Sequence, residues 1–412
     1  MSSLTQFFSR FKGSVFGAIL LISGCSIGVG MLFMPIVAGL SGFIPSNVIF
    51  VSCWLFMMST AFLILEVLLA YPEKKHLITL AEKTIGSWGK IVIYITFLFQ
   101  FYCIIIAYLD KGGEMVNEFL IGLGIKPLFW IGALLLGLVS TFLIYLGAKF
   151  VDQFNRICMI SLFVTYFYLL TTGSGIKHPE YLDYQRWDLA FVAIPFFVIA
   201  FGFHNMLPTI KNYLGPNKKR LSIALLIGAL IPFVIYFLWI RHTLKIVPPT
   251  GEVSILTSYK LEQLSTKPIV VLTNNKNVTF WAYYFTFFAI ATSLFAVALS
   301  LLDFIADGIN RTKWHSHRFL ISVAIFLPTF IFSQTISHIF VRALEFAGGI
   351  TTIILFGIMP VIMVWKKRYY LNNQKSQFIP GGKVMLSIIF LVASGVLIYE
   401  VLKNLGLISP LI

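Results

Sequence analysis

The chain has 412 residues, of which 58% are hydrophobic and 11% charged, with a mean hydropathy of +0.89. That composition excludes an ordinary soluble domain and indicates an all-α polytopic membrane protein. The formal net charge of +15 does not indicate a nucleic-acid partner, because the cations are sorted by loop and not gathered on one face.

A spanning helix needs roughly 20 apolar residues. Eleven stretches qualify: 14–40, 48–70, 91–109, 128–147, 156–172, 188–208, 221–241, 281–303, 318–334, 341–365 and 384–402. The first is read as a span and not as a cleaved signal, since it is long and lacks a small-x-small site followed by a soluble domain. Residues 1–13 precede it as a cytoplasmic segment.

The first span is interrupted by Ser23-Gly24-Cys25-Ser26-Ile27-Gly28-Val29-Gly30, with Pro35 beyond. Glycine costs about 1 kcal/mol relative to alanine inside a helix. No water is available in the bilayer core to satisfy loosened backbone. A helix that breaks there uses its freed N–H and C=O groups on something, usually a polar solute in transit.

Glu66 follows in the second span, about one turn from the cytoplasmic end. It is a candidate for proton coupling, for pairing with a neighbour, or for an interfacial position. The loop 71–90 predicts a short amphipathic helix ended by Gly86. In span three Phe97, Gln100, Phe101 and Tyr102 are candidates to line a pocket.

The sixth span contains Phe201-Gly202-Phe203-His204-Asn205-Met206-Leu207-Pro208. Gly202 precedes Pro208 much as Gly28 precedes Pro35, five spans earlier and in the opposite membrane orientation. Paired interruptions in two inverted halves are the best sequence pointer to a transporter site. His204 is the only histidine expected at mid-membrane, and its side chain titrates near neutrality. It is read as a substrate or proton contact, against a neutral histidine bonded to its own broken helix.

The longest non-spanning segment, 242–280, includes Pro268-Ile269-Val270-Val271-Leu272, read as a short strand or interfacial segment. Asp303 and Asp307 share a helix face at the end of span eight, with Arg311 beyond, as an ion pair or gate. Arg342 and Glu345 form an i,i+3 pair in span ten. Cys25, Cys53, Cys103 and Cys158 all fall in spans without C-x-x-C spacing, so neither zinc nor a disulfide framework is expected.

With a cytoplasmic N-terminus, the inner loops and their adjoining span ends hold 20 Lys and Arg and the outer ones 11, five of these in 241–280. Lys74-Lys75, Lys218-Lys219-Arg220 and Lys366-Lys367-Arg368 then act as orientation signals. Eleven spans place the C-terminus outside.

These residues resemble the aromatic amino acid permease family of the amino acid-polyamine-organocation superfamily. The resemblance rests on Gly13-Ser14 with Gly24-x-x-Ile27-Gly28-x-Gly30-Met31-Leu32-x-x-Pro35, on Leu65-Glu66-Val67 and on Gly113-Glu114. It continues through Phe201-Gly202-Phe203-His204, Pro208, Tyr213, Thr292-Ser293-Leu294-Phe295 and Asp303-Phe304-Ile305-Ala306-Asp307. It implies a leucine-transporter-like fold of five plus five inverted spans, 14–172 and 188–365, with 384–402 as one extra helix. It also implies proton-linked uptake of an aromatic amino acid, tyrosine first and tryptophan next. Val29, where alanine is usual, and Asn205, where glycine is usual, depart from the family pattern.

An α-amino acid brings a carboxylate and an ammonium group. The N–H groups of Gly28, Val29 and Gly30 begin a second half-helix and suit the carboxylate. Carbonyls around Ile22 to Gly24 and in the sixth-span break suit the ammonium, and Ser23, Cys25 and Ser26 add hydroxyl or thiol contacts. The substrate set also takes in Phe101, Phe201, Gly202, His204 and Asn205, with His204 and Glu66 as proton carriers. Sodium is the less favoured ion; it would need Thr292 and Ser293.

No enzyme and no cofactor are expected. His178 and Asp183 match an H-x4-D pattern, but in a short outer loop with no catalytic domain around it. An ATP-driven pump would need a G-x-x-x-x-G-K-[ST] loop, which is missing.

Overall fold

A computed structural model describes residues 13–28, 30–71, 76–146, 148–173, 176–308, 315–336, 338–373 and 377–408, and all regular structure among them is helical. In order these are α1 (Val15–Ser26), α2 (Gly30–Ser41), α3 (Phe43–Ala70), α4 (Leu77–Ile85), α5 (Ser87–Gly122), α6 (Ile131–Leu146) and α7 (Ala148–Thr171). After two short 3-10 turns come α8 (Ile194–Ala200), α9 (Leu207–Leu214), α10 (Lys218–Leu244), α11 (Ile255–Lys260), α12 (Thr266–Thr273), α13 (Lys276–Gly308) and α14 (His315–Thr335). Then α15 (Ile339–Glu345) continues through a π-helix, Phe346–Ile358, into α16 (Met359–Tyr369), and α17 (Gly382–Asn404) follows.

Among the described residues eight helices are long and apolar enough to cross a membrane, and α1 with α2, bent by 61°, makes a ninth. Ile131–Leu146 and Phe319–Thr335 are shorter apolar helices. The protein is therefore a multi-pass membrane protein. Large side chains such as Phe142, Leu327 and Leu391 are exposed on its periphery, where lipid is their solvent. The span Ile339–Tyr369 is the most enclosed, with 78% of its apolar window buried, and Gly382–Asn404 the least, with 22%. The former is a core helix and the latter a peripheral one.

Local sequence sets the helix ends. The Ser14 side chain accepts from Gly17 N at 3.0 Å and starts α1, and Asn217 does the same for Arg220 N at α10. Gly86, at φ +89°, stops α4 as expected. The segment expected as a strand around Pro268–Leu272 is instead the helix α12, because Pro268 falls in its first turn, where no N–H is needed.

Pro232 lies inside α10 and has no N–H to give the carbonyl of Gly228 one turn back. The Ser23 hydroxyl donates to that carbonyl at 3.0 Å, and Trp54 Nε1 donates to Ala229 O at 3.2 Å. The irregularity in α10 thus becomes the joint between α1, α3 and α10. Gly228 allows the approach: a Cβ there would lie 2.8 Å from Ile22 Cβ.

An aromatic cluster joins four helices at one end of the molecule. Phe33 of α2 packs on Phe196 of α8, Tyr259 of α11 and Phe340 of α15, at 5.5, 6.1 and 5.1 Å between centroids. Ser265 N donates to Leu32 O at 2.8 Å and Arg186 N to Ser41 O at 2.8 Å, strapping the loops down. At this end buried Glu262 accepts from Val341 N at 3.3 Å, and burial pushes its carboxyl above the usual range while Lys111 opposes the shift. Glu345 pairs with Lys403 of α17 at 3.2 Å, and Lys403 also holds Glu400 at 2.9 Å, so its partner is not the expected Arg342.

Candidate functional site

The two interruptions shape the centre. In the first, α1 stops at Ser26, Ile27 is extended (φ −75°, ψ 113°), and α2 restarts at Gly30. Ile27 N still reaches Ser23 O, and Met31 N reaches Gly28 O, both at 3.1 Å. The second is tighter. The α8 ladder ends at Phe201, Gly202 turns (φ −81°, ψ 38°), and Phe203–Met206 forms a 3-10 turn before α9. The residues Trp187–Leu214 still make one span, and Pro208 sits in the first turn of α9, where it is tolerated.

The breaks touch: Cys25 Sγ meets Asn205 Oδ1 at 3.8 Å. Gly28 faces α13, and a Cβ on it would lie 2.2 Å from Ser293 Oγ. Ser293 is hydrogen-bonded to Tyr108 of α5. The Tyr236 hydroxyl of α10 donates to Ser26 O, the last carbonyl of α1. Cys25 is exposed and Ser26, Asn205, Gly202, Gly30 and Ser293 are half-buried, while Tyr108, Phe201 and Tyr236 around them are buried. Small accessible groups therefore gather where the two helices are interrupted. The α1 end presents a carbonyl with negative dipole character and the α2 start presents N–H groups with positive character.

Other expected site residues lie elsewhere. Ser23 shares its one hydroxyl proton between Ile19 O (2.8 Å) and Gly228 O (3.0 Å) and is 4% exposed, so its hydroxyl holds α10 and does not face the site. Gly24 lies 3.8 Å, by an added Cβ, from the Met159 methyl of α7. Phe101 is buried against Phe97 and Phe304. Gln100 donates to Thr352 of the π-helix at 2.7 Å.

His204 is fully buried, its ring stacked between Phe203 (5.2 Å) and Phe356 (4.6 Å, 9° between planes). Nε2 lies 2.9 Å from Thr60 Oγ1, and Thr60 donates to Met57 O at 3.1 Å. The ring and the hydroxyl share one hydrogen bond whose direction is set by the tautomer. Nδ1 has no hydrogen-bond partner among the described residues.

Glu66 does not present a free carboxylate. It is fully buried, accepts from Lys367 (2.9 Å) and from Arg368 on both oxygens (2.8 and 2.6 Å), and takes Phe378 N at 3.3 Å. Two cations fix its charge, so the expected proton coupling at Glu66 gives way to a structural joint between α3, α16 and the segment before α17. Asp303 is exposed on α13. Val29, Arg311 and the Asp307 side chain lie outside the described residues, so the expected gate is not seen. His178 pairs with Glu180 at 2.8 Å and stacks on Tyr181 on an exposed turn, as a local contact. The four cysteines are free, and no group of His, Cys, Asp or Glu among the described residues could hold a metal.

Sequence reasoning missed Tyr108, Tyr236, Thr60 and Phe356. Tyr108, Thr60 and Phe356 stand in helices with no local sign of a site. For Tyr236 a signal existed: it lies one turn beyond Pro232, in a span that Pro232 loosens.

Comparison with known proteins covers almost the whole chain. The tryptophan/tyrosine permease family matches residues 12–400. Tyrosine-specific transport system 2 of Haemophilus influenzae is 26% identical over 399 residues, 96% of this chain and 98% of the relative. Tyrosine-specific transport system 1 of the same organism is 27% identical over 93% and 95% of the two chains. A tryptophan-specific transport protein of Pseudomonas aeruginosa is 27% identical over 84% and 85%. With its interrupted helices and its match over residues 12–400, this chain is a permease and not an enzyme, and it belongs to the tryptophan/tyrosine permease family.

Proposed function

We propose that the protein carries an aromatic amino acid, tyrosine before tryptophan, across the bacterial inner membrane in symport with a proton. The observation that carries this reading is the meeting of two interrupted helices, where Cys25 reaches Asn205 beside Gly28. Relatives with tyrosine- and tryptophan-specific names, matched over nearly their full lengths, support the substrate class. The substrate carboxylate lies on the N–H groups that begin α2, and its ammonium lies on Ser26 O. The nine apolar spans plus the two shorter helices make eleven crossings. They are arranged as inverted repeats 14–172 and 188–365 with 384–402 outside them, the N-terminus cytoplasmic and the C-terminus periplasmic.

His204 is the proton carrier in this reading. Its support is the buried Nδ1 beside the second break, without a hydrogen-bond partner among the described residues, together with the neutralisation of Glu66 by its two cations. The test uses proteoliposomes. His204→Gln is expected to lose gradient-driven accumulation while substrate exchange between preloaded vesicles continues. Accumulation that needs sodium and ignores a proton uncoupler under clamped potential would overturn the proton reading. Sodium-coupled carriage of a neutral amino acid is the second reading, favoured by one observation, the Ser293 hydroxyl lying against Gly28.

A further inference from the structure

The first half-helix ends with one specific contact. The carbonyl of Ser26 is the last of α1, and the next residue is extended, so the α-helical ladder does not continue across it. A helix C-terminus leaves carbonyls in want of donors and favours positive charge. The donor here is the hydroxyl of Tyr236, 1% exposed, one turn beyond Pro232 in α10 and packed on Phe201 of the second break. Tyr236 thus reaches both interruptions from a third helix. Cys25, beside Ser26, carries the exposed thiol; Cys53, Cys103 and Cys158 are buried.

We propose that Tyr236 is a positioning residue that stands in for the ligand's ammonium group in the empty carrier. This deepens the reading above and rests on it for the nature of the ligand. A carbonyl at mid-depth cannot be left without a donor at low cost. In the empty state the Tyr236 O–H supplies that donor and holds the end of α1 against α10. An arriving ammonium has three N–H donors and a full charge, so it makes the stronger bond and displaces the hydroxyl. Ligand arrival then frees α1 from α10, and ligand departure restores the tie. The same exchange lets the carrier return empty, which net uptake requires and exchange does not.

Tyr236→Phe removes the hydroxyl and little else. With its competitor gone, tyrosine is expected to bind purified carrier about 5-fold more tightly, as expected for one neutral hydrogen bond. Net uptake into proteoliposomes is expected to fall severalfold relative to exchange. Weaker binding would instead make Tyr236 a direct ligand. Unchanged binding, or an unchanged ratio of net uptake to exchange, would also overturn the proposal. A second measurement needs no ligand: maleimide should label Cys25 of the ligand-free variant several times faster than in the parent, and an equal rate counts against the tie. If the parent protein binds no aromatic amino acid yet Tyr236→Phe still speeds Cys25 labelling, the substrate reading fails and the tie stands.

Discussion

At the scale of single residues, the site is set by what a side chain would displace. A methyl group on Gly28 would lie 2.2 Å from Ser293 Oγ, and Ser293 can yield only by giving up its bond to Tyr108. Overpacking of this kind costs about 1–3 kcal/mol, roughly ten-fold or more in an equilibrium. Gly28→Ala is therefore expected to cut uptake about ten-fold at normal expression, and Ser293→Ala in that background to restore part of it. Full uptake by Gly28→Ala alone would mean that α2 and α13 are not held this close during transport. The interruptions themselves were legible, because glycine and proline act on their own backbone and leave a local mark. Ser23 was misread for the same reason. Its neighbourhood suggested the break, but its acceptor was exposed by Pro232, 209 residues away, and nothing near Ser23 records that. The partners of Glu66 were equally hidden, although Lys367 and Arg368 were read for their charge at the membrane surface.

Among the elements, the span from Ile339 to Tyr369 departs furthest from regular helix. Thirteen of its residues, Phe346–Ile358, are π-helical, a form that elsewhere comes mostly as single turns near functional sites. Thr352 donates to Ala347 O, five residues back, at 2.6 Å and accepts from buried Gln100 at 2.7 Å. Two glycines let it sit where it does. A Cβ on Gly348 would lie 1.9 Å from Pro195 O, and one on Gly349 would lie 2.6 Å from Glu400 Cγ. The same segment carries Phe356 onto the His204 ring, so any shift in its register is felt at the proton carrier proposed above. Thr352→Val strands the Gln100 amide and is expected to cost about 1–3 kcal/mol, read as a lower melting midpoint in detergent. Replacing both partners, Gln100→Leu with Thr352→Val, is expected to recover most of that loss. A double variant no better than the single one would mean that the hydrogen bond is not what holds the π-helix to α5. Gly348-Gly349 and Thr351-Thr352 stand in its sequence, but what they meet, Pro195, Glu400 and Gln100, comes from three other helices, so the π-helix could not be foreseen from the segment itself.

For the whole molecule, the parity of the crossings decides where the ends lie. Nine spans, or the eleven proposed above, would put the termini on opposite faces, and eight would put them on the same face. Single cysteines placed beside Gly13 and Gly406, in a background without the four native ones, are expected to react with an impermeant maleimide from opposite sides of sealed vesicles. Labelling from the same side would remove one span from the fold. Each of the eleven apolar stretches read from sequence carries helix among the described residues, because hydrophobic length is a property of the chain alone. How they turn toward one another is not, and so Tyr108, Tyr236 and Phe356 came to light only with the packing. The cluster around Phe33 has a consequence of a different kind. Four aromatic rings from α2, α8, α11 and α15 meet at one end, and backbone straps pin the loops over them. A hydrated ion would have to shed its water to pass such a cluster. Idle copies held this way are therefore expected to leak no ions and to leave a membrane voltage intact, which a conductance measurement on carrier-bearing vesicles checks.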